Sequence, residues 1–240
     1  KPILSPSWSP DQTQLTYISL KNGKAEAFVI KPYEKSTPIK LPSLDGIASE
    51  PSWHPNGQSI LLTLSSSYKK GNYNGFNQDI YSIKLKNKKL SRLTSHPSND
   101  TEANYSPDGT SIVFSSNRNG KKQIYVKNLN NDVIYSVPVV SPNLSDPVFS
   151  PDGGKLAFAY EESGSSRIAL YDIQTKKLDV LTQNKYDNSP SFSPNGDMII
   201  FATKKSNNEF LSIINLRNRQ IVELMQKEGG VIESTWLNFN

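Results

Sequence analysis

Acidic residues recur at one position of a repeated sequence unit, and together they could form an oxygen-rich ring. Six residues hold this position, each three residues before an aromatic residue: Ser5, Glu50, Glu102, Asp146, Ser189 and Glu233. Further polar residues lie just upstream: Asn99, Asp100, Asn143, Asp187 and Asn188. A ring of this kind attracts cations, either Ca²⁺ or the Lys and Arg side chains of a protein partner. The candidate cation ligands are Glu50, Glu102, Asp146 and Glu233.

The same acidic residues also have a structural interpretation. Each could cap a turn or accept a hydrogen bond from a backbone amide of the adjacent unit, as buried polar groups usually do. Both interpretations stay open for any single residue. As a set, the carboxylates favour a cation-attracting surface, and no other cofactor is expected.

Catalysis has little support in the sequence. A nucleophile needs a base, and the two histidines, His54 and His96, fall in loops of different repeats. The chain lacks a Gly-Xaa-Ser-Xaa-Gly nucleophile elbow. We therefore expect a protein that is not an enzyme.

A repeated four-residue phrase defines the units that must position the ring. It reads Ser-Pro-Asp-Gly or a close variant, starts at residues 9, 54, 106, 150 and 193, and follows an aromatic residue each time. The copies are 43 to 52 residues apart, and each leads into short β-branched and aromatic runs. This period predicts an all-β fold, a β-propeller with four-stranded blades. The predicted repeats in one domain, 1–240, are 5–46, 47–98, 99–142, 143–185 and 186–230, with a closing strand at 231–240.

Two details of the repeats give specific expectations. Gln12 replaces the glycine of the first phrase, so that turn must bear a positive φ or change type, and we expect it to be slightly irregular. The second unit is longer than the others, and its excess at Ser65 to Asn77 predicts a surface loop. Aromatic residues of this loop, including Phe76, could contact a partner.

The end of the chain repeats only the opening of a unit, at Glu233 to Trp236. Propellers commonly close by pairing strands from both termini in one blade. The favoured interpretation is a six-bladed propeller whose remaining strands lie upstream of Lys1. The alternative is a five-bladed propeller with an additional strand.

Composition excludes several classes of function. Lysines and arginines number 27 against 22 acidic residues, but the lysines fall mostly in turns, so nucleic-acid binding is not expected. There is no cysteine, and no apolar stretch approaches the length of a membrane span, so no direct membrane insertion is expected.

Several motifs resemble those of the TolB family, the propeller proteins of the Tol-Pal envelope system. They are Ser5 to Asp11 followed by Leu15 to Ile18, the final Glu233 to Trp236, and the repeated Leu-Thr pairs that close units. The resemblance covers essentially the whole chain. It implies a periplasmic, monomeric protein with six blades. Its channel-mouth loops would bind the peptidoglycan-associated lipoprotein Pal and so support outer-membrane integrity and cell division.

The resemblance also implies a set of partner-binding residues: Ile47, Ser49, Glu50, Asn99, Asp100, Thr101, Glu102, Asn143, Asp146, Asp187, Asn188 and Glu233. The loop Asn99 to Glu102 matches the family best, whereas apolar Ile47 departs from its pattern. The alternative function is a substrate-gating propeller of a prolyl-peptidase-like serine hydrolase. A glycan-binding or polysaccharide lyase function would need clustered histidines or exposed tryptophans, which the sequence does not indicate.

Overall fold

The computed structural model describes residues 3–21, 24–42, 48–70, 73–205 and 208–224, and these ranges form strands and turns without a helix. The strands are β1 Ile3–Trp8, β2 Leu15–Lys21, β3 Lys24–Ile30, β4 Ile39–Lys40, β5 Ala48–Trp53, β6 Ser59–Lys70, β7 Tyr73–Lys84, β8 Lys89–Arg92, β9 Asp100–Tyr105, β10 Ser111–Ser116, β11 Gln123–Asn128, β12 Ile134–Ser136, β13 Leu144–Phe149, β14 Lys155–Glu162, β15 Ser165–Asp172, β16 Leu178–Val180, β17 Tyr186–Phe192, β18 Met198–Lys205, β19 Asn208–Asn215 and β20 Ile221–Glu223. In these ranges no helix could cross a membrane. The predicted all-β class is confirmed.

Consecutive groups of four strands form antiparallel sheets, and each sheet is one blade. Blade 1 is β1 to β4, and blades 2 to 5 follow in chain order to β20. One parallel bridge, between Ser166 and Tyr186, connects blades 4 and 5. The first strands of successive blades contact one another, while the fourth strands have exposed residues. The predicted propeller is confirmed; the repeat boundaries stay predictions, and the closing strand at 231–240 lies outside the described residues.

The hydrophobic core lies between the blades rather than within them. Apolar side chains of each sheet pack against those of the next, so that four clusters join blades 1 to 5 in order. The largest fully buried side chains include Phe114, Phe158 and Phe201, which occupy the second strands of blades 3, 4 and 5. Adjacent sheets cover both faces of each inner blade. The second strands of these blades are therefore nearly continuous apolar runs.

The Ser-Pro-Asp-Gly phrase forms the turn between the first and second strands. In blade 3, Ser106 Oγ donates to Asp108 Oδ1 at 2.5 Å and accepts from the Ser111 amide at 2.9 Å. The Ser106 hydrogen bond lowers the pKa of Asp108. Gly109 has a φ of +70° and donates to the Ser106 carbonyl. Positive φ at this position explains the glycine.

The first copy of the turn keeps the same geometry without glycine. Gln12 adopts a φ of +58°, and its amide donates to the Ser9 carbonyl at 2.8 Å, as the glycines of the other turns do. The expected irregularity is therefore wrong: the side-chain hydrogen bonds of Asp11 to Ser9 and Thr13 hold the turn.

The excess sequence of the second unit extends a hairpin and does not form an irregular loop. Strands β6 and β7 stay paired in register from Ser59 with Lys84 to Lys70 with Tyr73. The expectation of a loop at Ser65 to Asn77 is wrong for the described residues, because backbone hydrogen bonds between antiparallel strands pair this segment although its side chains are mostly polar. Phe76 is exposed on this ribbon.

The second turn contains His54 in place of serine, and its ring extends onto the next blade. The His54 ring packs edge-on against Tyr105, with the ring centroids 4.7 Å apart. A Cβ atom at Gly109 would overlap the His54 ring, whereas a Cβ at Gly57 would meet no atom. Glycine at position 109 therefore serves both the turn and the contact between blades 2 and 3.

We predict that Gly109→Ala destabilises the protein more than Gly57→Ala does. Both substitutions place alanine at positive φ, which costs about 1–2 kcal/mol, but only the first displaces His54 from Tyr105. The additional loss should be about 1 kcal/mol, measured as the free energy of unfolding in urea. In the background of His54→Ser the two alanine variants should become similar; a persisting difference would contradict the proposed clash.

Candidate partner-binding face and axial channel

The ring residues lie inside the first strands, at a bulge, and not immediately before them as the sequence suggested. Each described member has a positive φ of 48° to 57°: Ser5, Glu50, Glu102, Asp146 and Ser189. The pairing register with the second strand shifts at each of these points. Positive φ is unfavourable for residues other than glycine, so neighbouring interactions must stabilise the bulges.

The carboxylates supply that stabilisation by bonding to the next blade. Glu50 Oε2 accepts from the Glu102 amide at 2.6 Å, and Glu102 Oε2 accepts from the Asp146 amide at 2.9 Å. Asp146 Oδ2 accepts from the Ser189 amide at 3.1 Å. Thr63 also donates to Glu50, at 2.9 Å. Each carboxylate thus satisfies a backbone amide at the bulge of its neighbour, which is the structural role that the sequence left open.

The same residues line an axial cavity of about 200 Å³ that all five described first strands enclose. Lys122 forms an ion pair with Glu102 beside this cavity. Burial, followed by the charge of Glu102, raises the pKa of Glu50 and raises the pKa of Asp146 to about 7. The channel is therefore less negative at neutral pH than its composition suggests.

A metal site in the channel receives no support from the described part of the chain. No three acidic or histidine side chains there are grouped as metal ligands. Glu50, Glu102 and Asp146 each use an oxygen on a backbone amide, and the fourth candidate ligand, Glu233, lies outside the described residues. Calcium binding at these positions remains an untested prediction.

Two predicted contact residues, Asp100 and Asp187, are fully buried within first strands instead of lying in loops. Both Asp100 oxygens accept from Arg118 Nη2, at 3.0 and 3.1 Å, and the Arg118 guanidinium lies over the Tyr125 ring at 4.5 Å. Asp187 accepts from Asn184 at 3.2 Å. Neither carboxylate can touch a partner directly. The prediction that Asp100 and Asp187 lie on the binding surface is therefore wrong.

The loop that leads into β9 is fixed by hydrogen bonds to β7. Thr94 Oγ1 accepts from the Ile80 amide, and Asn77 Nδ2 donates to the His96 carbonyl at 2.9 Å. Asn99 Oδ1 accepts from the Gln78 amide at 3.1 Å, while the Asn99 side chain is exposed. The Leu-Thr pair at the end of a unit therefore provides an anchor, and the loop beyond it presents Asn99 on a rigid support.

The other predicted contact residues differ in accessibility. Asn188 is exposed, whereas Ser49, Thr101 and Asn143 are half-buried. Ile47 and Glu233 lie outside the described residues. The structure thus leaves Asn99 and Asn188 as the predicted residues whose side chains are most accessible at this end of the blades.

Sequence reasoning missed two apolar residues on the same face. Val140, in the loop before β13, is 94% exposed, and Tyr186, at the start of β17, is exposed with Lys185 against its ring. Single exposed apolar residues are common on protein surfaces, so these two add apolar area to this end of the blades without defining a site by themselves. The signal was an apolar Val139-Val140 pair in a segment that otherwise connects blades.

Sequence and structure comparisons match this chain to proteins of one family. The sequence profile described as TolB beta propeller domain matches residues 1–240. The Tol-Pal system protein TolB of Ruthia magnifica is 55% identical over 94 residues, which are 39% of this chain and 20% of that protein. That of Bordetella pertussis is 32% identical over 126 residues, covering 52% of this chain and 27% of that protein.

A solved structure extends the likeness to nearly the whole fold. The crystal structure of TolB from Acinetobacter baumannii superposes with a TM-score of 0.84 at 32% identity, covering 98% of this chain and 57% of that chain. The aligned segments therefore span less than two thirds of these relatives.

We predict that Asp100→Lys prevents stable folding, whereas Asn99→Lys does not. The first change places a buried ammonium beside Arg118, and breaking a buried ion pair costs about 3–5 kcal/mol. The second should cost less than about 1.5 kcal/mol, because one exposed hydrogen bond is lost. Thermal unfolding followed by circular dichroism measures both. Equal melting temperatures for the two variants would show that the Asp100 ion pair is dispensable.

We predict that Asp146→Asn removes a pH-dependent loss of stability. A raised carboxyl pKa stabilises the fold below the unfolded value near 3.8, and that contribution is lost as the pH rises through about 7. The stability of the asparagine variant relative to the parent should therefore increase by about 1–3 kcal/mol between about pH 5 and about pH 8. Urea unfolding at both pH values tests this.

Asp108→Asn is the matched control, because the pKa of Asp108 is lowered. Its stabilising contribution is present above the unfolded pKa and lost as the pH falls through the folded value, so this variant should lose a similar amount of stability at about pH 5 and at about pH 8. An unchanged slope between pH 5 and 8 in Asp146→Asn would refute the role assigned to Asp146.

Proposed function

The chain belongs to the TolB beta propeller domain family, and from this we propose that it is a non-enzymatic, protein-binding propeller of the Tol-Pal type. The observation that carries the proposal is the family match along residues 1–240 together with the ordered, accessible loops at one end of the blades. We further propose that Pal is the partner, that the protein acts in the periplasm, and that it supports outer-membrane integrity and cell division.

Rigid presentation is the mechanism that the loop anchors support. The loop before β9 is held by Thr94 and Asn77, and β9 itself by the Asp100–Arg118 ion pair. Because these loops are ordered before binding, a partner would lose little additional conformational entropy on docking. The exposed Asn99 and Asn188 amides would donate and accept hydrogen bonds, and Val140 would provide apolar contact area.

Charge steering by the acidic ring contributes less than the sequence suggested. Lys122 neutralises Glu102, and Arg118 neutralises Asp100. The cavity of about 200 Å³ is too small for a globular domain, though it has room for a side chain. We therefore assign the domain–domain contact to the exposed loops and leave the ring a structural role with space for one inserted group.

We predict that Asn99→Lys, Asn188→Lys and Val140→Asp each weaken binding of the purified Pal domain by about tenfold or more, since each adds a desolvated charge to the interface at a cost above about 1.4 kcal/mol. Isothermal titration calorimetry measures the affinity. Each variant is first compared with the parent by thermal unfolding, so that a folding defect is not mistaken for lost contact.

The matched control is Lys177→Glu, an exposed charge change at the opposite ends of the blade 4 strands. It should leave Pal binding unchanged. If Pal binds the parent chain and all three variants with equal affinity, the contact surface lies elsewhere. If Pal does not bind the parent chain, the proposed partner is wrong for this propeller.

A further inference from the structure

A groove of about 1010 Å³ lies on the face opposite the channel-mouth loops, across blades 1, 2 and 3. It is bordered by the second Ser-Pro-Asp-Gly-type turn, His54 to Gly57, and by the connection between β7 and β8. Because β5 runs from the channel-mouth end to this turn, the groove and the proposed Pal surface are at opposite ends of the strands.

The floor of the groove is apolar. Val29 and Leu41 of blade 1 are buried at its base, and Leu93 and Leu129 contribute from blades 2 and 3. Ile39, on the outer strand of blade 1, remains 54% exposed at its edge. An ordered apolar concavity of this size matches the clefts that accept ligand or peptide side chains.

The rim of the groove carries unpaired positive charge. Lys84, Lys86 and Lys88 line it and are exposed, and no ion pair is formed by any of them with the described residues. The acid on the rim, Asp132, is already paired with Lys127 at 2.8 Å. Elsewhere on the surface, cations such as Arg217 and Arg219 do have carboxylate partners. Lys84, Lys86 and Lys88 therefore give the rim of this apolar groove a net positive charge.

We propose that this groove, defined by the apolar floor and by Lys84, Lys86 and Lys88, binds an acidic peptide segment that inserts apolar side chains. The positive rim favours a negatively charged partner, and the concave apolar floor favours a partner with apolar side chains that can insert into it. A flat anionic lipid surface fits less well, because the apolar groups are recessed behind the lysines. Nucleic acid fits less well, because Tyr105 is buried and offers no face for base stacking.

The proposed partner is independent of Pal binding. The two surfaces use different ends of the strands, so a segment in the groove leaves Asn99 and Asn188 accessible. The propeller would then act as a two-sided connector, with one face for a globular domain and the other for an extended acidic segment. Failure of either proposal leaves the other unaffected.

The test uses the fluorescein-labelled peptide Asp-Leu-Glu-Phe-Asp-Leu-Glu and fluorescence anisotropy at low ionic strength. The peptide should bind the parent chain, and replacing its apolar residues by serine or its acidic residues by lysine should abolish the signal. The double variant Lys84→Glu/Lys86→Glu should weaken binding at least about tenfold, and added salt should weaken it in the parent chain. Ile39→Ser should weaken binding about threefold without changing the salt dependence.

The matched control is Lys176→Glu/Lys177→Glu, which makes the same charge change in the corresponding connection of blade 4, outside the groove. It should bind the peptide as the parent does. Equal weakening by both double variants, or no binding by the parent, would overturn the proposal. Two other results would also overturn it. One is self-association of the parent chain in sedimentation velocity that Lys84→Glu/Lys86→Glu abolishes. The other is binding of the parent chain to phosphatidylglycerol vesicles, without peptide binding, that the same double variant abolishes.

Discussion

The hydrogen bond from a bulge amide of one blade to a carboxylate of the preceding blade is the interaction on which the propeller's interior depends. Glu50, Glu102 and Asp146 each receive such a bond, which joins four consecutive first strands. The bulges require positive φ at residues other than glycine, and their amides point away from the local ladder. Without a carboxylate of the right length, each bulge would leave a buried amide unsatisfied, which costs about 1–3 kcal/mol. Each of these acids therefore uses one carboxylate oxygen to stabilise the fold, and a binding role could use only the other oxygen.

Neighbouring polar contacts reinforce the same joints. Trp53 Nε1 donates to the Ser7 carbonyl, and Asn104 Nδ2 donates to the Pro147 carbonyl, so first strands are connected both at and beside the bulges. The apolar clusters then fill the space between sheets. Polar bonds near the axis set the angle between blades, while apolar packing further out supplies most of the stabilisation, in keeping with the non-directional nature of the hydrophobic effect.

The sequence predicted the repeating elements well because they depend on local chemistry. The turns need only a proline, an aspartate or asparagine and a residue tolerant of positive φ, and these occur at a fixed period. The sequence did not predict that Asp100 would be buried, because its partner Arg118 lies in a different hairpin, and it did not predict the paired ribbon of β6 and β7, because no core pattern marks it. The ring residues were found, yet their position inside the strands follows from a register shift that no local pattern reveals.

Departures from the repeat are where the blades become different from one another. Arg118 pairs with Asp100 in blade 3, whereas Lys205, at the corresponding hairpin of blade 5, pairs with Glu223 and leaves Asp187 to Asn184. His54 takes the place of a turn serine and extends over the next blade, beside the lysine-bordered groove. Because the turns, bulges and core recur in each blade, differences in recognition between the two faces must come from residues that differ between blades. Asn99 and Val140 on one face, and the Lys84 cluster on the other, are positions of this kind, so the two faces can recognise different partners while the interior stays the same.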